Sequence, residues 1–325
     1  MNMPAIRNTA CILLLAASLP SCGGGSSAPA MEHRIGLVYF GPDESADNCM
    51  RGLFDGLKEQ GFEEHKNLEI RRSHAQGEIA NIPLLIRNYE GSDVDVIVAM
   101  TTPVLMAAAS MARSKPIVFT FVYDPMAAGV GKSRTDHLPH VTGVSSFPPV
   151  EDTVDTIQRL VPRVRAVGTL YNSSEANSVK VVSVGRDIFK QRGIQLQEIT
   201  ITGTSEIFQA AQVLTQRGVQ ALWITGDNTA FQGFEAIVKA AHEAKIPIII
   251  NDPEFVHRGA LIAVGIGWYE TGKAAAKVLA RVLRGEPPHN IPFEEVAVKK
   301  LVLNQEVAKS LGITFPPDMV QSASQ

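Results

Sequence analysis

The residues best suited to bind a small polar molecule follow short apolar runs that are typical of β-strands. In open parallel α/β sheets, ligands bind beyond the carboxyl ends of the strands, where helix N-termini offer free N–H groups and partial positive charge. Hydroxyl groups there suit a carboxylate, acidic side chains suit an ammonium group, and aromatic rings form an apolar wall. The candidate ligand-binding residues at these positions are Tyr39, Thr101, Thr102, Tyr123, Asp124, Asn172, Ser174, Glu175, Asn177, Asp227, Asn228 and Asp252.

Each of these candidates also has a simpler interpretation. Thr, Ser, Asn and Asp cap helices in many proteins, so any one of the polar residues could be only a cap. The aromatic residues near the first and fourth strands, including Phe40 and Phe121, could equally pack against a sheet. As a set, the loops predict a zwitterionic amino acid with an apolar or aromatic side chain as the ligand.

Strand-like runs alternate with segments of helical period along most of the chain. Residues 35–39 and 94–98 are short runs rich in β-branched residues, which favours strands. The segments between such runs carry apolar residues at i, i+3, i+4 and i+7, a pattern that buries one helix face against a sheet. This alternation predicts parallel sheets with right-handed crossover connections.

The strand–helix order occurs twice, over about residues 34–122 and 165–251. We therefore predict an α/β fold of two doubly wound parallel-sheet lobes with a hinge and a central cleft. The predicted domains are an N-lobe at 33–145 with a return of roughly 265–300, a C-lobe at 146–264, and a C-terminal strand, helix and tail at 301–325. The predicted crossings between lobes lie near Ser145, Gly265 and Leu301.

The N-terminus predicts export and a lipid anchor. Arg7 precedes an apolar stretch at 10–19 that is too short to span a bilayer unaided. Ser21 and Cys22 resemble a bacterial lipoprotein cleavage site, which implies a signal peptide at 1–21, lipidation of Cys22 and a periplasmic or extracytoplasmic location. The Gly/Ser-rich segment 22–32 is then a flexible tether. The alternative is an ordinary secretory signal with an incidental cysteine.

Composition and motifs argue against several other classes of protein. The formal net charge is −3, no Lys/Arg run is present and aromatic residues make up 6%, so we predict no nucleic-acid partner. The glycines at 131–133 and 265–272 have the wrong context or spacing for nucleotide motifs. His137 and His140 alone make a weak metal site, and no nucleophile elbow is present. We predict no cofactor, no metal and no enzymatic activity.

The run YNSSEANS at 171–178 resembles the Tyr-Asn-x-x-Glu-x-Asn-Ser segment of a substrate-binding family of ABC transporters, sometimes described as tryptophan/tyrosine-binding lipoproteins. The resemblance extends in family order over about residues 33–303, with matches at 73–77, 99–103, 118–129, 141–144, 227–229 and 258–260. It implies a type I periplasmic-binding-protein fold, ligand capture by lobe closure, and a permease and an ATPase as partners. For some relatives it implies aromatic amino acids as ligands.

Two loops depart from the family pattern, at 40–47 and at 172–174. Both border the expected cleft, so the resemblance leaves the ligand open. The function predicted from the sequence is that of an extracytoplasmic solute-binding lipoprotein of an ABC importer. It binds a small polar ligand by lobe closure, and the first candidate is an amino acid, including an aromatic one. The alternatives are a ligand-sensing protein that serves a signalling receptor, and a periplasmic enzyme.

Overall fold

The structure is a computed structural model that describes Met1 and residues 32–323. The predicted signal peptide, the lipidation at Cys22 and most of the predicted tether therefore lie outside the described residues. Within the described part, two six-stranded sheets account for all the named strands. No helix of that part combines the length and the apolar character needed to cross a membrane.

The strands are short and mostly buried. They are β1 (His33–Tyr39), β2 (Leu68–His74), β3 (Val96–Met100), β4 (Ile117–Val122), β5 (Val141–Ser145), β6 (Ala166–Asn172), β7 (Gln195–Ile201), β8 (Ala221–Ile224), β9 (Ile248–Ile250), β10 (Ile262–Ile266), β11 (Glu294–Glu295) and β12 (Lys299–Leu303). The helices between them cover the sheets. They are α1 (Glu44–Glu59), α2 (Ile82–Glu90), α3 (Thr102–Met111), α4 (Val150–Leu160), α5 (Ala176–Gln191), α6 (Ile207–Gln216), α7 (Asn228–Gln232), α8 (Phe234–Ala244), α9 (Trp268–Leu283), α10 (Gln305–Leu311) and α11 (Pro317–Ser322).

The two sheets define two lobes. The first sheet has the order β11-β5-β4-β3-β1-β2, and its strands pair in parallel. The second has the order β12-β10-β9-β8-β6-β7 and is parallel except for its edge strand β12, which runs antiparallel to β10. The predicted α/β fold with two doubly wound lobes is confirmed, and the antiparallel edge is a common addition to such sheets.

The chain crosses between the sheets at three points in the described residues: after β5, after β10 and after β11. At the second crossing, Gly267 separates β10 of the second lobe from α9, which packs on α1 of the first lobe. The two helices lie very close, because a Cβ atom on Gly52 would stand 2.0 Å from the carbonyl oxygen of Tyr269. This close packing fixes the start of α9, and therefore Trp268, at the junction between the lobes.

Candidate ligand-binding site

A narrow pocket of about 350 Å³ lies between the carboxyl ends of the two sheets. Both lobes and the crossing between them supply its walls. The lining residues are Asp43, Thr102, Phe121 and Tyr123 from the first lobe, Asn177, Gly226, Asn228, Phe231 and Asp252 from the second, and Trp268 at the crossing.

Aromatic rings form one wall of the pocket. The ring centroids of Phe121 and Trp268 are 4.2 Å apart, and the ring of Tyr123 is nearly parallel to that of Trp268 at 6.2 Å. Phe121 has a φ angle of 60°, and Thr101, which precedes the first residue of α3, has a φ of 87°. Such conformations are costly for residues other than glycine and tend to occur at functional sites.

Asp252 is the most constrained acidic group in the pocket. It is fully buried, and its carboxylate accepts hydrogen bonds from Ser45 Oγ at 2.7 Å and Trp268 Nε1 at 2.9 Å. The backbone N–H of Glu254 donates a third bond at 3.1 Å. Burial, with the nearby Glu254 charge as the second cause, raises the pKa of Asp252 well above its usual value. A positively charged group beside Asp252 would offset this burial cost.

Asp43 is a second carboxyl group at the same pocket. Its Oδ1 accepts a hydrogen bond of 2.8 Å from the backbone N–H of Ala46, which caps α1. Burial raises the pKa of Asp43 to about 6. No Lys or Arg is among the residues that line the pocket. Nor does any group of three His, Cys, Asp or Glu side chains in the described residues form a possible metal site.

Asn177 lines the pocket and carries a buried amide oxygen without a partner. Its Nδ2 donates to the carbonyl of Gly226 at 2.8 Å and lies within hydrogen-bond distance of Ser178 Oγ and Glu175 Oε2. A flipped amide would place Oδ1 against two acceptors, so the amide orientation is fixed. Oδ1 is buried without a partner in the protein, as is the hydroxyl of Tyr123. Burial raises the pKa of Tyr123 well above its usual value, so this hydroxyl keeps its proton.

Five of the twelve residues predicted from the sequence line this pocket. They are Thr102, Tyr123, Asn177, Asn228 and Asp252. Each follows the carboxyl end of a strand, which is the position that the strand–helix pattern indicated. The predicted set omitted the other five lining residues, which are Asp43, Phe121, Gly226, Phe231 and Trp268. Trp268 follows Gly265 and Gly267, close to the predicted crossing between the lobes. Its position beside that crossing could have indicated a place at the cleft.

Three other predicted residues, Asn172, Glu175 and Asp227, form hydrogen bonds that hold the loop at 226–229 in place. Glu175 is fully buried and accepts hydrogen bonds from the backbone N–H groups of Asn228 and Thr229, both at 2.9 Å. Asp227 caps α7 through Ala230 N–H and also accepts from the N–H of Asn172, both at 2.7 Å. Burial, and then the Glu175 charge, raise the pKa of Asp227 to about 7. These carboxylates are occupied by the protein itself.

The remaining four predicted residues lie outside the pocket lining. Tyr39 lines a separate surface groove. The hydroxyl of Thr101 is buried behind the start of α3. Asp124 accepts a hydrogen bond from Ala127 N–H and lies 3.7 Å from Lys180 Nζ of the other lobe, and Ser174 is exposed.

The family model described as ABC transporter substrate binding protein matches residues 34–325. The chain belongs to the ABC transporter substrate-binding protein family. Members of this family act on the extracytoplasmic side of the membrane and bind small-molecule ligands for transporter components. The family and its structural neighbours are solute-binding proteins rather than enzymes.

Named relatives of this substrate-binding protein are similar over most of their length. A "tyrosine-binding protein" of Clostridioides difficile is 28% identical over 280 residues, which cover 86% of this chain and 81% of the relative. A solved Streptococcus domain in complex with L-Trp has a TM-score of 0.87 and 29% identity, with 90% of this chain and 99% of that chain covered. A ligand-free, open substrate-binding protein from Clostridium difficile has a TM-score of 0.68 and 26% identity, with coverage of 90% and 98%.

The lobes of this substrate-binding protein are closed. The two solved relatives have similar identities, yet the complex with L-Trp superposes much better than the open, ligand-free structure. The hydrogen bond between Ser45 and Asp252 joins the lobes directly.

Proposed function

We propose that this protein is the lipid-anchored substrate-binding protein of an ABC importer, and that it captures an amino acid with an aromatic or other apolar side chain by lobe closure. The observation that carries this proposal is the composition of the pocket. It combines two carboxyl groups, an unpartnered amide oxygen and four aromatic rings, with no cationic side chain in its lining.

The ammonium group of the ligand belongs beside Asp252, Asp43 and Asn177. All three present oxygen atoms, and the low polarity of the pocket makes a charged hydrogen bond there stronger than in water. The ligand carboxylate belongs at the start of α3, where Thr102 lines the pocket and the preceding Thr101 makes no side-chain capping hydrogen bond. The rings of Phe121, Tyr123, Phe231 and Trp268 then surround the ligand side chain.

The ligands for which two relatives are named support this assignment. One solved relative binds L-Trp and one curated relative is named for tyrosine. The aromatic wall of this pocket suits the indole ring of tryptophan or the phenol ring of tyrosine, because aromatic rings pack favourably against each other in offset-stacked and edge-to-face arrangements. The close approach of both lobes around the pocket favours one amino acid over a peptide or an oligosaccharide.

Isothermal titration calorimetry with L-Trp, L-Tyr, L-Phe and L-Leu tests the ligand class. Each amino acid is paired with the same acid lacking the α-amino group, such as indole-3-propionate for L-Trp. We expect at least one amino acid to bind and its deaminated analogue to bind at least about 100-fold more weakly, since two carboxyl groups then lose their partner. Co-purification of a sugar or a polyanion, identified by mass spectrometry, would contradict the proposal.

Anchoring and import are tested in the producing cell. We expect Cys22→Ser to release the protein from the membrane fraction, and Cys49→Ser, at the buried free thiol, to leave it there. Uptake of the radiolabelled amino acid should fall when the gene is deleted. Normal uptake combined with a lost cellular response to the amino acid would instead indicate a sensory role.

A further inference from the structure

Gly226 stands where the two lobes touch inside the pocket. It follows β8 of the second lobe, and the three atoms nearest to a Cβ built on it all belong to Tyr123 of the first lobe. That Cβ would lie 1.9 Å from the Tyr123 hydroxyl oxygen and 2.3 Å from Cζ. Both distances are far below van der Waals contact, and Tyr123 is buried, so its ring has little room to retreat.

Gly226 is not required by local backbone geometry. It is absent from the glycines of positive φ, so an alanine can adopt the same backbone without strain. The loop that carries it is held from within the second lobe by Glu175 and Asp227. The conflict with a side chain at this position is therefore a conflict between lobes.

We propose that Gly226 is the positioning residue that permits lobe closure, because its missing side chain leaves the space into which Tyr123 fits. The same residue holds the amide of the pocket residue Asn177, since its carbonyl accepts the Asn177 Nδ2 hydrogen bond, and the Oδ1 atom of that amide has no partner in the protein. Gly226 thus couples the closed arrangement to the orientation of the acceptor. This inference rests on the proposed function for its ligand and adds the residue that controls capture.

The test compares Gly226→Ala with Gly203→Ala. Gly203 lies in the same lobe, also without positive φ, and has no heavy atom within 4 Å of a built Cβ. With L-Trp and L-Tyr as probes, we expect Gly226→Ala to lower affinity by roughly tenfold or more, mainly through faster dissociation, and Gly203→Ala to bind like the wild type. Wild-type affinity in Gly226→Ala would overturn the proposal.

A double-mutant cycle separates lobe closure from damage to the second lobe. Tyr123→Ala removes the atoms that a side chain at Gly226 would meet, so adding Gly226→Ala in that background should change affinity by about twofold or less. An undiminished loss in the Tyr123→Ala background would show that the alanine disturbs its own lobe, and would overturn the proposal.

Small-angle X-ray scattering measures lobe closure independently of affinity, through the radius of gyration. We expect the radius of gyration of Gly226→Ala to exceed that of the wild type and of Gly203→Ala in the presence of the amino acid. Equal radii, with and without the amino acid, would overturn the proposal. A wild type that binds no amino acid, yet is more compact than Gly226→Ala, would contradict the proposed ligand while supporting the closure contact.

Discussion

Ser45 donates a hydrogen bond of 2.7 Å to Asp252, which lies 207 residues further along the chain and in the opposite lobe. The bond joins the two lobes directly. Asp252 is also the carboxylate that Trp268 contacts at the crossing between the lobes. A contact between the lobes and the proposed partner of the ligand ammonium group are therefore one side chain.

Ser45→Ala is expected to weaken ligand binding through closure alone. The variant removes one donor to a buried carboxylate, a loss of roughly 1–2 kcal/mol that corresponds to about a tenfold lower affinity. Calorimetry with the bound amino acid measures the change. Ser310→Ala is the matched control, because the exposed Ser310 hydroxyl bonds only within α10. Equal affinities for the wild type and Ser45→Ala would contradict a role of this bond in closure.

Ligand affinity is expected to rise with pH through about 6. Burial raises the pKa of Asp43 to about 6, so the carboxyl group is neutral below that value and attracts an ammonium group only above it. Titrations between pH 5 and 7.5 measure the slope. Asp43→Asn should flatten this rise while still capping α1, and an identical pH profile in that variant would exclude Asp43.

The stability of the ligand-free protein is expected to fall as pH rises, whereas ligand affinity is expected to increase. Burial raises the pKa of Asp43 to about 6 and that of Asp227 to about 7, both from the ordinary value of 3.8. The folded state therefore binds these protons more tightly than the unfolded chain does, and the free energy of unfolding falls as pH rises from about 4 to 7. Urea unfolding at several pH values tests this, and a rise over the same interval would contradict it.

Asp227→Ala is expected to reduce the stability of the fold, because Asp227 bonds within the protein and does not line the pocket. The substitution leaves the N–H groups of Asn172 and Ala230 without their acceptor, and we expect the free energy of unfolding to fall by about 1–3 kcal/mol. Asp187→Ala, at an exposed position on α5, is the control. Unchanged stability with lost binding would instead place Asp227 in contact with the ligand.

The two tryptophans provide a built-in optical test of the pocket. Trp268 lines the pocket, whereas Trp223 lies in the second sheet and donates to Asn251. We expect ligand-induced changes in tryptophan fluorescence to persist in Trp223→Phe and to disappear in Trp268→Phe. The latter should also bind about tenfold more weakly, because Asp252 loses its indole donor. A signal that survives in Trp268→Phe would place the ligand elsewhere.

Much of the fold followed from local patterns. Short β-branched runs alternating with amphipathic segments predicted the strands and helices, and their repetition predicted two lobes. Residues directly after strands, such as Thr102 and Asp252, were found because parallel strands direct their carboxyl ends to one edge. The antiparallel edge strand β12 was not anticipated, since pairing direction depends on where a distant segment returns.

The sequence by itself determined the strand–helix order, the family resemblance and the set of loops that can reach the cleft. Tertiary structure decided which carboxylates in those loops remain for a ligand. Glu175 and Asp227 look equivalent to Asp252 in sequence, but they are used by backbone N–H groups of their own lobe. Asp252 also accepts from one N–H group of its own lobe, but it lines the pocket and meets Ser45 and Trp268 across the cleft. Sequence spacing specifies where a side chain starts, whereas its hydrogen-bond partner depends on contacts between residues far apart in the chain.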